Sequence, residues 1–244
     1  MSVGMEASGN LVACGGLDNL CTVYNITADS AVELGGHAGF LSCCRFMEPN
    51  RVLTASGDSS CILWDVPAAK PISTFKEHTA DAVFLSLRDS NTFVSCSVDK
   101  TIKLWDIRSP KGSQNTMLGH LGDVNGVEFL PTDKNCFATC SQDNTARLFD
   151  LRACNEIACF GTPIDPETEA VPDAGFTSLA CSKSGRLLFC GHSDGGAVAF
   201  DTLKGSVAFT LQQAHDQHVS CVGVSPGGEA FCTGSWDNLV KIWA

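Results

Sequence analysis

The stretch Ile102-Lys103-Leu104-Trp105-Asp106 decides the fold, because close variants of it recur along the chain. They read Cys61-Ile62-Leu63-Trp64-Asp65, Ala146-Arg147-Leu148-Phe149-Asp150, Ala197-Val198-Ala199-Phe200-Asp201 and Val240-Lys241-Ile242-Trp243-Ala244, with an earlier copy at Cys21-Thr22-Val23-Tyr24-Asn25. From Tyr24 to Trp64, Trp105, Phe149, Phe200 and Trp243 the steps are 40, 41, 44, 51 and 43 residues. An aspartate stands six residues before each aromatic: Asp18, Asp58, Asp99, Asp143, Asp194 and Asp237. These aspartates fall in short polar or glycine-containing stretches such as Ser56-Gly57-Asp58-Ser59, which read as tight hairpin turns. A histidine opens four of the units, at His37, His78, His120 and His215. Between the markers the pattern alternates with period two, as in Val94-Ser95-Cys96-Ser97, and no amphipathic helix is evident.

A repeat of about 40–45 residues with these markers resembles the WD repeat, four strands to a blade. The expected fold is an all-β WD40 β-propeller forming one domain over residues 1–244. It comprises five complete repeats and a partial one, with units at about 1–25 (partial), 33–65, 74–106, 116–150, 157–201 and 210–244.

Bulk composition narrows the function. With 244 residues, 44% of them hydrophobic, the chain can bury a sizeable core. No run approaches the roughly 20 apolar residues that a membrane span needs. The start, Met1-Ser2-Val3-Gly4-Met5, has neither the basic nor the apolar region of a signal peptide, so export is not expected. Sixteen dispersed basic residues against 27 acidic ones, net −11, argue against nucleic acid and against an acidic membrane surface. The fourteen cysteines sit mostly in strand-like apolar runs and read as small hydrophobes in a reducing compartment. There is no C-x-x-C pair, and adjacent Cys43 and Cys44 point to opposite faces of a strand, so no metal site and no cofactor are expected.

Histidine, hydroxyl and aspartate recurring together invite a nucleophile-triad reading. An enzyme needs one such constellation in one cleft, whereas here it is repeated in phase, so the chain is not expected to be an enzyme. The resemblance to WD repeats implies instead a hydrogen-bonded structural tetrad in each blade: His37, Thr54, Asp58 and Trp64; His78, Ser95, Asp99 and Trp105; His215, Thr233, Asp237 and Trp243. Such a chain satisfies the N–H groups of a buried imidazole and indole. Two units depart from it. The set His120, Thr139, Asp143 and Phe149 lacks the indole donor, and the unit around Cys190, Asp194 and Phe200 lacks both histidine and hydroxyl. That last unit also carries Pro163-Ile164-Asp165-Pro166-Glu167-Thr168-Glu169-Ala170-Val171-Pro172-Asp173, a solvated insertion that is either a tolerated loop or a partner-binding segment.

More specifically, the chain resembles the β subunit of heterotrimeric G proteins along its whole length. The resemblance is carried by Ser8-Gly9-Asn10-Leu11-Val12-Ala13-Cys14-Gly15-Gly16-Leu17-Asp18-Asn19, by Leu41-Ser42-Cys43-Cys44-Arg45-Phe46, by Ala146-Arg147-Leu148-Phe149-Asp150-Leu151-Arg152-Ala153, and by Thr233-Gly234-Ser235-Trp236-Asp237-Asn238. It implies a non-catalytic scaffold for the G protein α subunit and effectors in receptor signal transduction, and a G protein γ subunit as partner in the full-length form. The α-subunit and effector surface it implies is Leu17, Asn19, Phe40, Asp81, Val83, Asp123, Asn125 and Trp236. Aromatic and aliphatic anchors among carboxylates suit a shared docking surface. Gln142 stands where the family has an acid, and Val83 where it has a longer thioether.

The family fold is a seven-bladed ring preceded by an N-terminal helix. The first blades and that helix are expected to be absent here, leaving a ring that does not close in the usual way. Localisation is expected to be cytoplasmic, peripheral at the inner face of the plasma membrane through partners, with no direct membrane insertion. The alternative within the same fold is a general WD-repeat adaptor, ribosome- or kinase-associated, or a ubiquitin-ligase substrate receptor. The scattered arginines lack the clustering that a reader of acidic peptides needs.

Overall fold

The computed structural model describes residues 2–109, 111–162 and 174–244, all of them in strands, turns and irregular segments. The proline- and acid-rich insertion from Pro163 to Asp173 lies outside the described residues. Two compact units divide the chain, Met1–Leu118 and Gly119–Ala244.

The first unit holds three antiparallel sheets, each with its strands in sequence order. Sheet I is β1 (Ser2–Met5), β2 (Leu11–Gly15), β3 (Leu20–Asn25) and β4 (Ser30–Gly35). Sheet II is β5 (Leu41–Glu48), β6 (Arg51–Ser56), β7 (Ser60–Asp65) and β8 (Lys70–Lys76). Sheet III is β9 (Ala82–Leu87), β10 (Thr92–Ser97), β11 (Ile102–Asp106) and β12 (Asn115–Met117). In the second unit, sheet IV is β13 (Val124–Phe129), β14 (Cys136–Ser141), β15 (Thr145–Asp150) and β16 (Asn155–Gly161). Sheet V is β17 (Phe176–Cys181), β18 (Leu187–His192), β19 (Ala197–Asp201) and β20 (Ser206–Leu211). Sheet VI has three strands, β21 (Val219–Val224), β22 (Phe231–Ser235) and β23 (Val240–Trp243).

This corrects the expected count of five complete repeats and a partial first one. Residues 1–25 are not a partial unit, because Ser30–Gly35 pairs with β3, placing Leu34 opposite Cys21 and completing four strands. The last unit, expected to be complete over 210–244, has three strands, because Ser206–Leu211 pairs with β19 of sheet V. The cause is where the sequence motif is cut. Each repeat begins near its histidine, but the strand just before that histidine closes on the preceding sheet. Among the described residues there are thus six sheets, five four-stranded and one three-stranded.

Burial follows strand position. In β7 all residues from Ser60 to Trp64 are buried, whereas β8 buries only Phe75 fully. A strand packed on both faces reads as a near-continuous apolar run, and an outer strand needs only one plug. Leu34, Phe75, Met117 and Phe160 are those plugs in sheets I to IV. The two faces of β7 serve different cores. Ile62 and Trp64 join Ala13, Cys21, Val23 and Leu34 of sheet I. Cys61 and Leu63 join Leu85, Phe93 and Trp105 of sheet III. Cys43 and Cys44 split between the same two cores. In the second unit, Phe160, Phe176, Leu188 and Phe200 fill the layer between sheets IV and V, and Phe189 stacks on Phe231 at 4.5 Å between V and VI. Each such fully buried side chain contributes roughly 1.5–3 kcal/mol. All fourteen thiols are free.

The first strands of sheets II to VI share a feature that no residue pattern announced. Pairing skips the second residue of each: Ser42, Val83, Asn125, Thr177 and Ser220. These are β-bulges, which re-aim the extra side chain out of the ladder. Three of them reach the next sheet. Ser42 Oγ donates to the Ala82 carbonyl at 2.5 Å, Asn125 Nδ2 to the Phe176 carbonyl at 2.7 Å, and Thr177 Oγ1 to the Val219 carbonyl at 2.5 Å.

Candidate partner-binding surface

In an up-and-down sheet, the loop entering the first strand and the hairpin turn between the second and third strands lie at the same end. The turn is built alike in all six sheets. The aspartate is followed by a residue with positive φ: Asn19 (64°), Ser59 (67°), Lys100 (68°), Asn144 (59°), Gly195 (91°) and Asn238 (66°). What binds that aspartate differs from sheet to sheet.

In sheet II the neutral imidazole of His37 donates from Nδ1 to Asp58 Oδ2 (2.9 Å). Its Nε2 then accepts from the Thr54 hydroxyl (2.7 Å), which itself accepts from the Trp64 indole N–H (2.8 Å). The Ala38 amide and the Ser60 hydroxyl complete the carboxylate's partners. Burial works to raise the Asp58 pKa, yet the bonds from Ser60, the Ala38 amide and His37 hold it at about 2. Burial also pushes His37 and His78 below the usual histidine value. Sheet III repeats the chain through His78, Asp99 (2.8 Å), Ser95 (2.8 Å) and Trp105 (2.8 Å). Sheet VI does so through His215, Asp237 (2.8 Å), Thr233 (2.7 Å) and Trp243 (3.0 Å).

Sheet IV keeps His120, Asp143 and Thr139 but ends on Phe149, which stacks on Phe137. Sheet V has no such chain. Its Asp194 pairs with His192 Nδ1 at 2.7 Å, and His192 Nε2 lies 3.2 Å from Asn144 Oδ1. Sequence reasoning missed that pairing. The signal was available, since His192 stands where the other units have Ser56, Ser97, Ser141 and Ser235. The Thr54, Ser95, Thr139 and Thr233 side chains are buried and spent on these bonds, so no substrate reaches a hydroxyl nucleophile. Among the described residues no group of three or more histidine, cysteine or acidic side chains is placed to hold a metal ion.

The residues implied for partner contact lie at this end of their sheets. In the first unit, Leu17 (75% exposed) and Asn19 lie in the β2–β3 turn, Phe40 precedes β5, Asp81 precedes β9, and Val83 is the half-buried bulge of β9. The structure joins these loops. The Leu41 amide donates to the Gly16 carbonyl, the Gly57 amide to the Phe40 carbonyl, and the Val98 amide to the Asp81 carbonyl. The Phe40 ring lies against Gly57, where any Cβ would collide with it. In the second unit, the Asp123 carbonyl receives the Gln142 amide, Asn125 is the bulge of β13, and Trp236 (66% exposed) stands in the β22–β23 turn.

Charge is segregated as well. In the second unit the described loops and turns of this end carry Asp123, Asp143, Asp194, Asp216 and Asp237 and no lysine or arginine. Lys134, Arg152, Lys183, Arg186 and Lys204 all lie at the opposite end. In the first unit Asp18, Asp58, Glu77, Asp81 and Asp99 stand with Lys100, and Lys103 of β11 reaches Glu77 at 3.8 Å.

Bladelike four-stranded sheets, tetrads and an exposed aromatic loop end define a WD-repeat propeller protein. The solved WD40 β-propeller domain of Doa1 has the same fold, with a TM-score of 0.83 at 21% identity over all of this chain and 78% of that one. A family model described as G protein beta WD-40 repeat protein matches residues 1–244. Guanine nucleotide-binding protein subunit beta of Oryza sativa subsp. japonica is 40% identical over all of this chain and 69% of its own length. The Zea mays and Arabidopsis thaliana subunits are 41% and 40% identical over the same shares. The chain belongs to the G protein β family of WD-repeat proteins, which are non-catalytic scaffolds.

Proposed function

We propose that this chain acts as a G protein β-type subunit whose loop end, in both units, docks a G protein α subunit and, in its absence, effectors. A γ subunit is its companion in the full-length form. The working location is the cytoplasm, at the inner face of the plasma membrane through these partners; no described helix is long and apolar enough to cross a membrane. The observation that carries the reading is Trp236: a large, exposed indole fixed at the loop end of sheet VI, whereas the Trp243 indole of the same sheet is consumed by its tetrad. Asp123 and Asn125 of the same unit, and Leu17, Asn19, Phe40, Asp81 and Val83 of the first unit, supply further contacts. Aromatic anchors rimmed by polar groups dominate the energy of protein interfaces.

The test is co-purification of the protein, with its γ partner where one is present, with a GDP-loaded α subunit. Trp236→Ala is expected to weaken binding by about tenfold or more, and Phe40→Ala by less. No binding by the parent protein, or binding indifferent to both changes, defeats the proposal.

A further inference from the structure

Trp236 is held twice. Its amide donates to the His218 carbonyl at 3.1 Å, and its indole lies 4.7 Å from the His218 imidazole with 34° between the planes. His218 is itself anchored by the fully buried Val219 that follows it and opens β21. His37, His78, His120 and His215 spend both ring nitrogens on a carboxylate and a hydroxyl, and His192 spends its own on Asp194 and Asn144. Among the described residues no side chain hydrogen-bonds to the His218 ring, so its contact with the indole is its main engagement.

The charged and titratable groups around it are few. On its own loop stand His215 and the exposed Asp216, and Lys241 of β23 donates its ammonium to the Ala214 carbonyl of that loop. Asp237 follows Trp236 and is engaged by His215. The β18–β19 turn packs on the same loop, with Gly195 against the His215 and Gln217 carbonyls, and brings the His192–Asp194 pair. Burial alone sets the direction of the shift at His218, below the usual histidine value.

We propose that His218 is the positioning residue for the Trp236 anchor, its neutral ring bracing the indole for the partner, so that protonation of His218 weakens partner binding. This rests on reading Trp236 as the α-subunit anchor. A partner that covers the indole withdraws the imidazole further from water, which disfavours its charged form. Binding therefore selects the neutral ring. The sign follows by linkage: affinity is highest above the ordinary histidine value and falls as pH drops through that of His218.

Two measurements on the full chain test this. Tryptophan emission is followed from pH 8 to pH 5, because a protonated imidazole in contact quenches an indole. The parent protein is expected to lose emission with a midpoint below pH 6.5, and His218→Gln is expected to lose correspondingly less, the tetrad tryptophans being common to both. In parallel, affinity for a GDP-loaded α subunit is measured at pH 7.5 and pH 6.0. The parent is expected to bind about two- to threefold more weakly at pH 6.0, and His218→Gln to show at most a small part of that difference. Equal pH dependence in parent and variant overturns the role of His218 while leaving the anchor intact. Absence of α binding at every pH overturns the anchor reading itself, and with it this role, whatever the emission shows.

Discussion

Sheets III and V are both four-stranded, yet they are built on different chemistry. In sheet III, His78 links Asp99 to Ser95, and Ser95 takes the Trp105 indole N–H, so four buried polar groups saturate one another. In sheet V the corresponding residues are Cys190, Asp194 and Phe200, and the chain vanishes into apolar contacts: Phe200 meets Phe160 at 5.6 Å and Phe176 at 5.9 Å. The carboxylates differ in consequence, the Asp99 side chain being 6% exposed and that of Asp194 61%. A blade thus tolerates the full network, the three-membered one of sheet IV, or none, because the cost lies in a buried polar group left unsatisfied.

The largest expected effect breaks sheet III. His78→Ala strands a buried Asp99 carboxylate and a Ser95 hydroxyl, and is expected to cost about 3 kcal/mol in urea unfolding at neutral pH. Asp194→Ala, on an exposed side chain, is expected to cost less than about 1 kcal/mol. Equal losses at the two sites would falsify the distinction between them.

That contrast was largely legible in the sequence, because a tetrad is a matter of residue identity at fixed spacing. His78, Ser95, Asp99 and Trp105 announce themselves by recurrence, and Cys190 and Phe200 by departing from it. The outer strands were less legible. Ser30–Gly35 carries no marker, and only its hydrogen bonds to β3 reveal which sheet owns it. The bulges were not legible: four of the five residues, Ser42, Asn125, Thr177 and Ser220, are polar but Val83 is not, and a bulge is a property of backbone register rather than side chain. The partner surface was named only through family resemblance, and the His218–Trp236 contact needed coordinates, as its two residues are 18 positions apart with no periodic cue.

A second expected effect is acid lability of the tetrad sheets, somewhat smaller. His37 and His78 are pushed below the ordinary histidine value, so the fold prefers them neutral. Their contribution is complete above about pH 6.5 and is lost as pH falls below it. Asp58, held at about 2, contributes fully above the ordinary aspartate value, and that contribution drains away as pH falls from about 4 toward 2. Its share is about 2 kcal/mol at most. Urea midpoints at pH 7.5, 5 and 3 should therefore fall in two steps, and Asp58→Asn, though weaker at neutral pH, should lack only the Asp58 share of the lower one, which Asp99, Asp143 and Asp237 also feed. A midpoint that rises on acidification contradicts the sign.

The smallest effect asks whether sheet V can be given part of the missing chain. Cys190→Thr alone buries a hydroxyl diagonally across the ladder from Phe200, with no indole to donate to it, and should cost about 1–2 kcal/mol. Phe200→Trp alone buries an indole N–H facing a thiol, with a similar penalty plus strain from its extra volume. Together, the introduced hydroxyl and the introduced indole satisfy each other as Thr54 and Trp64 do at 2.8 Å. The double variant should then lose about 1 kcal/mol less than the sum of the singles. Strict additivity would mean that the pairing in sheets II, III and VI depends on the histidine to orient the hydroxyl, and that half a network is no better than its separate parts. A favourable coupling would show that the hydroxyl–indole bond stands on its own and that the histidine and aspartate serve chiefly to pin the loop end on which partners dock.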